Sequence, residues 1–323
     1  MQLLMPYVAA GREAKMRKLD RTTVNEPNSL KTPSNSVATE AAEASAFYAT
    51  KVPWSSHYTA YKFEAYRGKD VKDALRKLSN GKCAYCESKI VGTGAREVEH
   101  YRPKGGIKGV QNHPGYWWLA HDWENLLPTC PACNKSLRQH IVTPGMTRDQ
   151  VEDLMADDGP SSHGKANQFE IQGQRAVSAS CSLQAEDPLL IDPCRRDPGP
   201  ELRWSWENGL SLVAPTIDDN GTLSPYGEFT IRACALNRAG LVLDRVAALS
   251  FLRNLRTQIL NDLERWDGDQ GKLDDLVARA QVLREAHGPD QQFAGMIEAF
   301  VDDLLEEFGR WLQDKGLPQP ATS

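Results

Sequence analysis

The sequence predicts an α+β fold, in which a small module of two strands and a helix precedes a mainly helical C-terminal region. Two C-x2-C pairs, Cys83 with Cys86 and Cys130 with Cys133, enclose the strands of this module. From Glu228 onwards, apolar residues recur at the spacing of amphipathic helices. The cysteine spacing and the helical periodicity together predict the fold class.

The four paired cysteines predict a zinc site. Each C-x2-C loop can present two sulfurs to one ion, and two such loops complete a tetrahedron of thiolates. Four protein ligands leave no open position, so the predicted Zn²⁺ is structural. The alternative is two ordinary pairs of buried cysteines. The other three of the seven cysteines are predicted to be buried or inert. Thiols reserved for a metal fit a reducing cytoplasm better than a disulfide framework does.

A β-hairpin and a short helix are predicted within and after this cysteine framework. One strand ends at His100, because the proline three residues later cannot continue a ladder of hydrogen bonds. A second strand covers 125–129. The helix covers 131–138 and carries Asn134 on its first turn. This arrangement brings His100, Asn125 and Asn134 into one small cleft.

The N-terminal part is predicted to be poorly ordered. Residues 1–50 mix Pro, Asn, Ser, Thr and Lys with little periodicity, although an Ala-rich piece, 39–49, has helical potential. Residues 51–145 are predicted to form the zinc-stabilised module, which the chain enters through a helix over 69–78.

The second half is predicted to consist of a linker, a hairpin and helices. Residues 146–187 show little periodicity and are interpreted as a linker or insertion. The region 188–323 begins with extended segments around a turn at Asn208-Gly209 and continues as helices. In the last helix, 291–317, an apolar stripe is backed by acidic residues. The acidic side is either a solvated face of a helical bundle or a docking surface for another subunit.

Four aromatic residues between the cysteine pairs allow two interpretations. They could stack on nucleic-acid bases, as aromatic side chains do in single-strand binders. A small module also needs core residues beside its metal, and the sequence favours this role. The residues are Tyr116, Trp117, Trp118 and Trp123.

Composition limits the classes of function. The chain has 323 residues, of which 40% are hydrophobic and 25% are charged, as in an ordinary globular protein. No apolar run is long enough to span a membrane. The formal net charge of −5 means that cations for nucleic acid must be local or come from a partner. No P-loop or dinucleotide-binding motif is present, so any ATP dependence must come from another chain.

The motifs of this region resemble those of a known family. The order C-x2-C, Glu-His, Asn-Leu and C-x2-C-Asn is similar to that of HNH endonucleases with a ββα-metal core. The segments 83–87, 98–104, 116–120 and 123–128 more closely resemble the HNH proteins of retron and Septu anti-phage systems, the PtuB-like family. The resemblance is dense over residues 69–138, returns at 188–193, 230–231 and 236–238, and is weak elsewhere. The segment 16–20 resembles the usual beginning of the family, which implies Met16 as an alternative start.

The resemblance implies roles for the residues of the cleft. His100 would be the general base, since an imidazole accepts a proton near neutral pH. Glu99 and Asn134 would bind a catalytic Mg²⁺ or Mn²⁺, because oxygen ligands favour these ions over Zn²⁺. Many HNH sites have His where this chain has Asn134, so that residue could instead only support the helix. Asn125 would orient His100 through hydrogen bonds to its loop.

Three cations near the cleft, Arg102, Lys104 and Lys135, are candidates for contacts with phosphates; each could also be a simple surface charge. The resemblance implies a nucleic-acid substrate, DNA in preference to RNA, and a partner ATPase of the PtuA type that controls the nuclease. The alternative function is a zinc-stabilised adaptor or nucleic-acid-binding subunit that does not cut. The presence of Glu99, His100 and Asn125 favours the nuclease.

Overall fold

The computed structural model describes residues 17–31, 35–55, 57–90, 97–285 and 288–317. The alternative start at Met16 lies outside them. The helices are α1 (Asn35–Ala49), α2 (Lys69–Leu78), α3 (Pro131–Asn134), α4 (Arg148–Asp153), α5 (Pro225–Ala233), α6 (Ala239–Glu264), α7 (Gln270–Glu285) and α8 (Ala294–Asp314). The strands are β1 (Glu97–His100), β2 (Leu126–Thr129), β3 (Leu137–Gln139), β4 (Ser161–His163), β5 (Leu202–Ser205) and β6 (Leu212–Pro215).

Within the described residues, the strands form three two-stranded antiparallel sheets: β1 with β2, β3 with β4, and β5 with β6. In the first sheet Glu97 lies opposite Thr129 and His100 lies opposite Leu126. The predicted hairpin is therefore present, and His100 is the last residue of its strand. The fold is a mixed α and β structure with small sheets.

The helix after the second cysteine pair is shorter than predicted. It was expected over 131–138, but α3 ends at Asn134 because Lys135 is already extended, with φ −86° and ψ 151°. The chain then forms β3, which pairs with β4. Helix α2, in contrast, has the predicted bounds. The positive φ angles of Asn80 and Gly81, 51° and 71°, follow its end.

In the N-terminal region, for which the sequence predicts poor order, the described residues make specific contacts with the rest of the chain. The backbone N–H of Leu19 donates to Pro193 O at 2.8 Å. The guanidinium of Arg21 donates to Leu126 O at 2.6 Å and lies over the ring of Trp123, 4.9 Å from its centroid. Helix α1 also packs its Ala44 and Tyr48 side chains into a core cluster. The segment therefore covers the hairpin.

Residues 146–187, predicted to be a linker or an insertion, pack against the zinc-stabilised region. Lys165 and Glu186 have 0% exposure and Phe169 has 1%. Phe169 belongs to the same core cluster as Cys83 and Tyr116 of the zinc-stabilised region. The sequence of this segment has no hydrophobic periodicity because its backbone is irregular. Individual side chains are buried one by one, and no face of a helix or strand is buried as a whole.

The aromatic residues between the cysteine pairs belong to the cores. Tyr116 and Trp123 are buried, at 0% and 5% exposure, and Trp117 stacks on Tyr48 with 5.0 Å between the centroids. Trp118 packs at the edge of the larger cluster. The core role favoured by the sequence is therefore the observed one.

The C-terminal helices share their core with the cysteine region. All five residues of the predicted stripe are buried in the cluster that includes the cysteines: Met296, Phe300, Leu304, Phe308 and Leu312. Glu87, directly after the first cysteine pair, accepts hydrogen bonds at its backbone oxygen from Phe293 N (3.3 Å) and at its carboxylate from Gly295 N (2.9 Å). The predicted apolar stripe of the last helix therefore packs inside this chain.

No helix in the described ranges combines the length and the apolar character that a membrane span requires.

Candidate functional site

The four paired cysteines form a cluster that could hold a zinc ion. Their Sγ atoms all lie within 4.8 Å of one another. The Sγ atoms of Cys86 and Cys130 are 3.7 Å apart. A tetrahedral Zn²⁺ with Zn–S bonds of about 2.3 Å would separate its sulfurs by about 3.8 Å. The donor set and its spacing therefore fit a structural zinc, as the sequence predicted.

Arg238, just before α6, lies against this cluster. Its guanidinium contacts the sulfurs of Cys86, Cys130 and Cys133. Burial disfavours the charged form of Arg238, but the neighbouring charges of Cys133, Cys86 and Cys130 outweigh burial, so the pKa of Arg238 is raised. A permanent positive charge at this place offsets the negative charge of a four-thiolate site.

A second feature is an open cleft of about 730 Å³ beside the end of β1. The cleft is lined by four predicted site residues other than the general base His100. They are Glu99, Asn134, Lys104 and Lys135. His100 lies on its wall as well. Strand β1 supplies Glu99 and His100 and α3 supplies Asn134, so the pairing of the hairpin and the start of α3 bring them together.

His100 is 5% exposed and is held by two contacts. Its Nε2 is 3.0 Å from the backbone oxygen of Ala120, and the ring of Tyr66 meets it edge to face at 4.5 Å. Because a carbonyl oxygen only accepts, Nε2 carries the proton and Nδ1 keeps its lone pair. Burial lowers the pKa of His100 well below its usual range, and the charge of Lys104 acts in the same direction. The imidazole is therefore neutral at neutral pH.

Asn125 joins the two loops that surround His100. Its Oδ1 accepts from Arg102 N at 2.8 Å, and its Nδ2 donates to Arg102 O (3.1 Å) and to Leu119 O (3.2 Å). One of these loops follows His100, and the other carries the Ala120 oxygen that accepts from the imidazole. Asn125 thus connects the loop after His100 to the loop that carries Ala120.

Glu99 lies in a buried ion pair. Its side chain is 7% exposed and contacts the ammonium of Lys165, whose side chain has 0% exposure. Burial raises the pKa of Glu99, while the charge of Lys165 and its hydrogen bond oppose the rise. Lys165 was missed by the sequence analysis, because the segment that supplies it has no periodicity.

Asn134 faces a carboxylate that was also missed. Its Nδ2 donates to Glu97 at 3.2 Å, which leaves the amide oxygen as the atom that could bind a cation. Lys135 pairs with the same carboxylate. A signal for Glu97 was present in the sequence, because residues two apart on a strand share a face and Glu97 therefore lies beside Glu99.

The three predicted phosphate-binding cations differ in their surroundings. Arg102 is 4% exposed, donates to Glu186 at 2.7 Å and is not among the residues that line the cleft. Lys104 lines the cleft and lies over the ring of Tyr66, 5.4 Å from the centroid. Lys135 is 58% exposed at the rim. Only the two lysines are placed to meet a ligand in the cleft.

The relatives that comparison with known proteins identifies here are named as proteins of the Septu system. Septu protein PtuB from Bacillus mycoides (strain KBAB4) is 30% identical over 268 residues, which cover 77% of this chain and 79% of that protein. This chain belongs to the Septu PtuB family. The family resemblance that the motifs predicted is therefore confirmed at this level.

Two further relatives match smaller parts of this PtuB-family chain. Septu protein PtuB from Bacillus thuringiensis is 32% identical over 111 residues, covering 32% of this chain and 35% of that protein. Septu protein PtuA from Bacillus mycoides (strain KBAB4) is 26% identical over 187 residues, covering 56% of this chain and 21% of that protein. No protein-family model and no solved structure matches the chain.

Proposed function

We propose that this PtuB-family protein is a metal-dependent endonuclease with a ββα-metal (HNH) core, which hydrolyses phosphodiester bonds of nucleic acid in anti-phage defence. The observation that carries the proposal is the position of His100. Its Nε2 lies 3.0 Å from Ala120 O, and the ring stands on the wall of a cleft that Glu99 and Asn134 also line.

His100 acts as the general base in this mechanism. The hydrogen bond from Nε2 to Ala120 O fixes the ring, so the lone pair of Nδ1 is the group that takes a proton from the attacking water. Asn125 holds the loops on both sides of the imidazole. Since the ring is neutral at neutral pH, the base is ready without prior loss of a proton.

A carboxylate oxygen of Glu99 and the amide oxygen of Asn134 would hold the catalytic cation. These hard oxygen ligands favour Mg²⁺ or Mn²⁺. When bound, the cation polarises the scissile phosphate and stabilises the charge of the leaving oxygen. The zinc site is separate and structural, because its four sulfurs leave no position for a substrate.

The cleft supplies local positive charge on a chain that is acidic overall. Lys104 and Lys135 line the cleft. Arg67, in the turn before α2, and Lys72, in the first turn of α2, line it as well. These four cations suit the phosphates on both sides of a cut. DNA is the favoured substrate, and RNA is the alternative that the assay below distinguishes.

The partner in this proposal is an ATPase of the PtuA type. The family membership and the similarity of part of this chain to a Septu protein PtuA support the pairing. The chain has no nucleotide-binding motif of its own, so the partner would provide the control by ATP.

A cleavage assay tests the function directly. The full chain, with and without its PtuA partner, is incubated with Mg²⁺ or Mn²⁺ and with double-stranded DNA, single-stranded DNA or RNA. We expect cleavage that needs the divalent cation and is lost on adding EDTA. If no substrate is cut with the partner present, the nuclease is disproved and the adaptor role takes its place.

A further inference from the structure

Lys165 is a buried lysine that the proposed mechanism does not use. Its side chain has 0% exposure, its ammonium contacts Oε1 of Glu99, and it donates to His100 O at 2.9 Å. We propose that Lys165 is a positioning residue of the cleft, which holds the Glu99 carboxylate in the orientation that binds the catalytic cation. This inference rests on the proposed function, in which Glu99 binds the catalytic cation.

The contact divides the work between the two oxygens of Glu99. Lys165 holds Oε1, and the other oxygen is left for a cation in the cleft that Glu99 lines. A buried carboxylate without a partner is strongly disfavoured and would turn towards solvent. The ion pair with Lys165 stabilises the charged carboxylate in its buried position, so the carboxylate stays at the end of β1.

The backbone that carries Lys165 is fixed to the helix that bears the other proposed ligand. Lys165 N donates to Cys133 O at 2.8 Å, one residue before Asn134 in α3. The preceding Gly164 has a φ of +133°, and a Cβ there would lie 1.8 Å from a backbone oxygen at the end of α3. Only glycine allows this approach. The segment that carries Gly164 and Lys165 lies outside the hairpin and α3. It nevertheless completes the surroundings of both proposed cation ligands, Glu99 and Asn134.

Lys165 acts through Glu99 and does not contact substrate. Lys135, in comparison, is 58% exposed and lines the cleft, whereas Lys165 is not among the residues of the cleft wall. Its ammonium is enclosed by Glu99 and the backbone oxygens of His100 and Ala166. A phosphate in the cleft therefore meets the exposed lysines and not this one.

Binding of Mn²⁺ to the full, zinc-loaded chain tests the proposal, measured by the electron paramagnetic resonance signal of free Mn²⁺. We expect Lys165→Met to weaken Mn²⁺ binding about 10–100-fold, the usual effect of removing a group that orients a ligand. In a Glu99→Gln background the same substitution should weaken Mn²⁺ binding by less than about twofold, because Lys165 acts through Glu99. Lys272→Met, which removes an exposed lysine of α7, should leave binding unchanged.

Melting temperature and zinc content are measured on every variant, since Lys165→Met also leaves a buried carboxylate unpaired. If that protein does not fold, Lys165→Gln decides: its amide can still donate to Glu99 but carries no charge, and it should keep tighter Mn²⁺ binding than Glu99→Gln. Wild-type or tighter binding by Lys165→Met, or additive losses in the double variant, would overturn the proposal. A wild-type chain that binds Mn²⁺ but cuts nothing with its partner overturns only the nuclease. A wild-type chain that binds none overturns both.

Discussion

Nη1 of Arg238 lies 3.5 Å from Sγ of Cys133, so a residue at the start of α6 donates to a sulfur of the zinc site. Its Nη2 lies 3.6 Å from Sγ of Cys86 and 3.8 Å from Sγ of Cys130. A Zn²⁺ ion with four thiolates has an excess of negative charge in a buried place, and one guanidinium neutralises part of it. The C-terminal helices and the zinc site are thereby coupled.

Replacing Arg238 should loosen the zinc. We expect Arg238→Met to release zinc to a chelator about tenfold faster, since groups that hydrogen-bond metal ligands commonly contribute 10–100-fold to metal affinity. The measurement is the rate of zinc transfer to a coloured chelator. Arg238→Lys keeps the positive charge but not the planar fork of N–H donors. Its rate of zinc release should therefore lie between those of the wild type and Arg238→Met.

Arg232→Met is the matched control, because Arg232 is exposed on α5 and pairs with Glu170. Its rate of zinc release should equal that of the wild type. Equal rates for Arg238→Met and the wild type would show that the guanidinium packs beside the thiolates without stabilising the bound ion.

Replacing Cys130 tests the zinc itself. Cys130→Ser removes one of four sulfurs, and a structural zinc contributes its binding free energy to folding. We expect loss of the zinc and a clear fall in the melting temperature, measured by metal analysis and calorimetry. Cys181→Ser is the control, because Cys181 lies outside the cluster. A Cys130→Ser protein with unchanged melting temperature and full activity would contradict the zinc assignment.

Association with PtuA is a further prediction, and the structure changes how it is tested. Deletion of all residues after Asp290 would remove Phe293 and α8, and both Phe293 and Met296 are buried in the shared core. The deletion would therefore disrupt the fold as well as any interface. On the acidic side of α8, Asp303 accepts a hydrogen bond from Nε1 of Trp206 at 2.7 Å and Glu307 pairs with Arg256.

Charge reversal on that side tests the interface without removing α8. Asp302→Lys with Glu306→Lys should abolish co-purification with PtuA. Zinc content and melting temperature are measured on the same variant, because both residues also make contacts within the chain. Asp219→Lys, on an exposed loop, is the control and should co-purify normally. If the double variant is captured as well as the wild type, the acidic side is a solvated face and the docking surface lies elsewhere.

The local features of the fold were predictable from local patterns. Val71, Ala74, Leu75 and Leu78 repeat at helical spacing and are buried in α2. The cysteine spacing predicted the cluster, because two short loops suffice to place four sulfurs. The hairpin followed from the proline after His100 and the extended segment before Cys130. Each of these signals lies within a few residues of the element that it predicts.

The contacts between distant segments were not predictable. Arg102 stands in a loop with other cations and so resembled a phosphate ligand, but its partner Glu186 is 84 residues away. Lys165 meets the carbonyl oxygen of His100 across 65 residues. Buried ion pairs of this kind have no periodicity, and a single polar residue in an irregular segment looks the same whether it is solvated or enclosed.

His100 provides the most direct test of the mechanism. As the general base, His100→Ala should reduce cleavage by roughly 10²–10⁴-fold, the usual contribution of a positioned acid–base group. The side chain stands at the end of its strand, is 5% exposed and lies 3.0 Å from Ala120 O through its Nε2. The alanine variant should therefore also lose about 1–3 kcal/mol of stability, because that oxygen is left without its donor.

His100→Gln separates catalysis from stability. Its amide nitrogen can still donate to Ala120 O, so the melting temperature should lie nearer the wild type, while cleavage stays as low as in the alanine variant. Glu99→Ala and Asn134→Ala should differ from both, because they remove cation ligands and should weaken the response to added Mg²⁺ or Mn²⁺. Cleavage at the wild-type rate by either His100 variant would remove the proposed base, and the adaptor function would then explain the cleft better than the nuclease does.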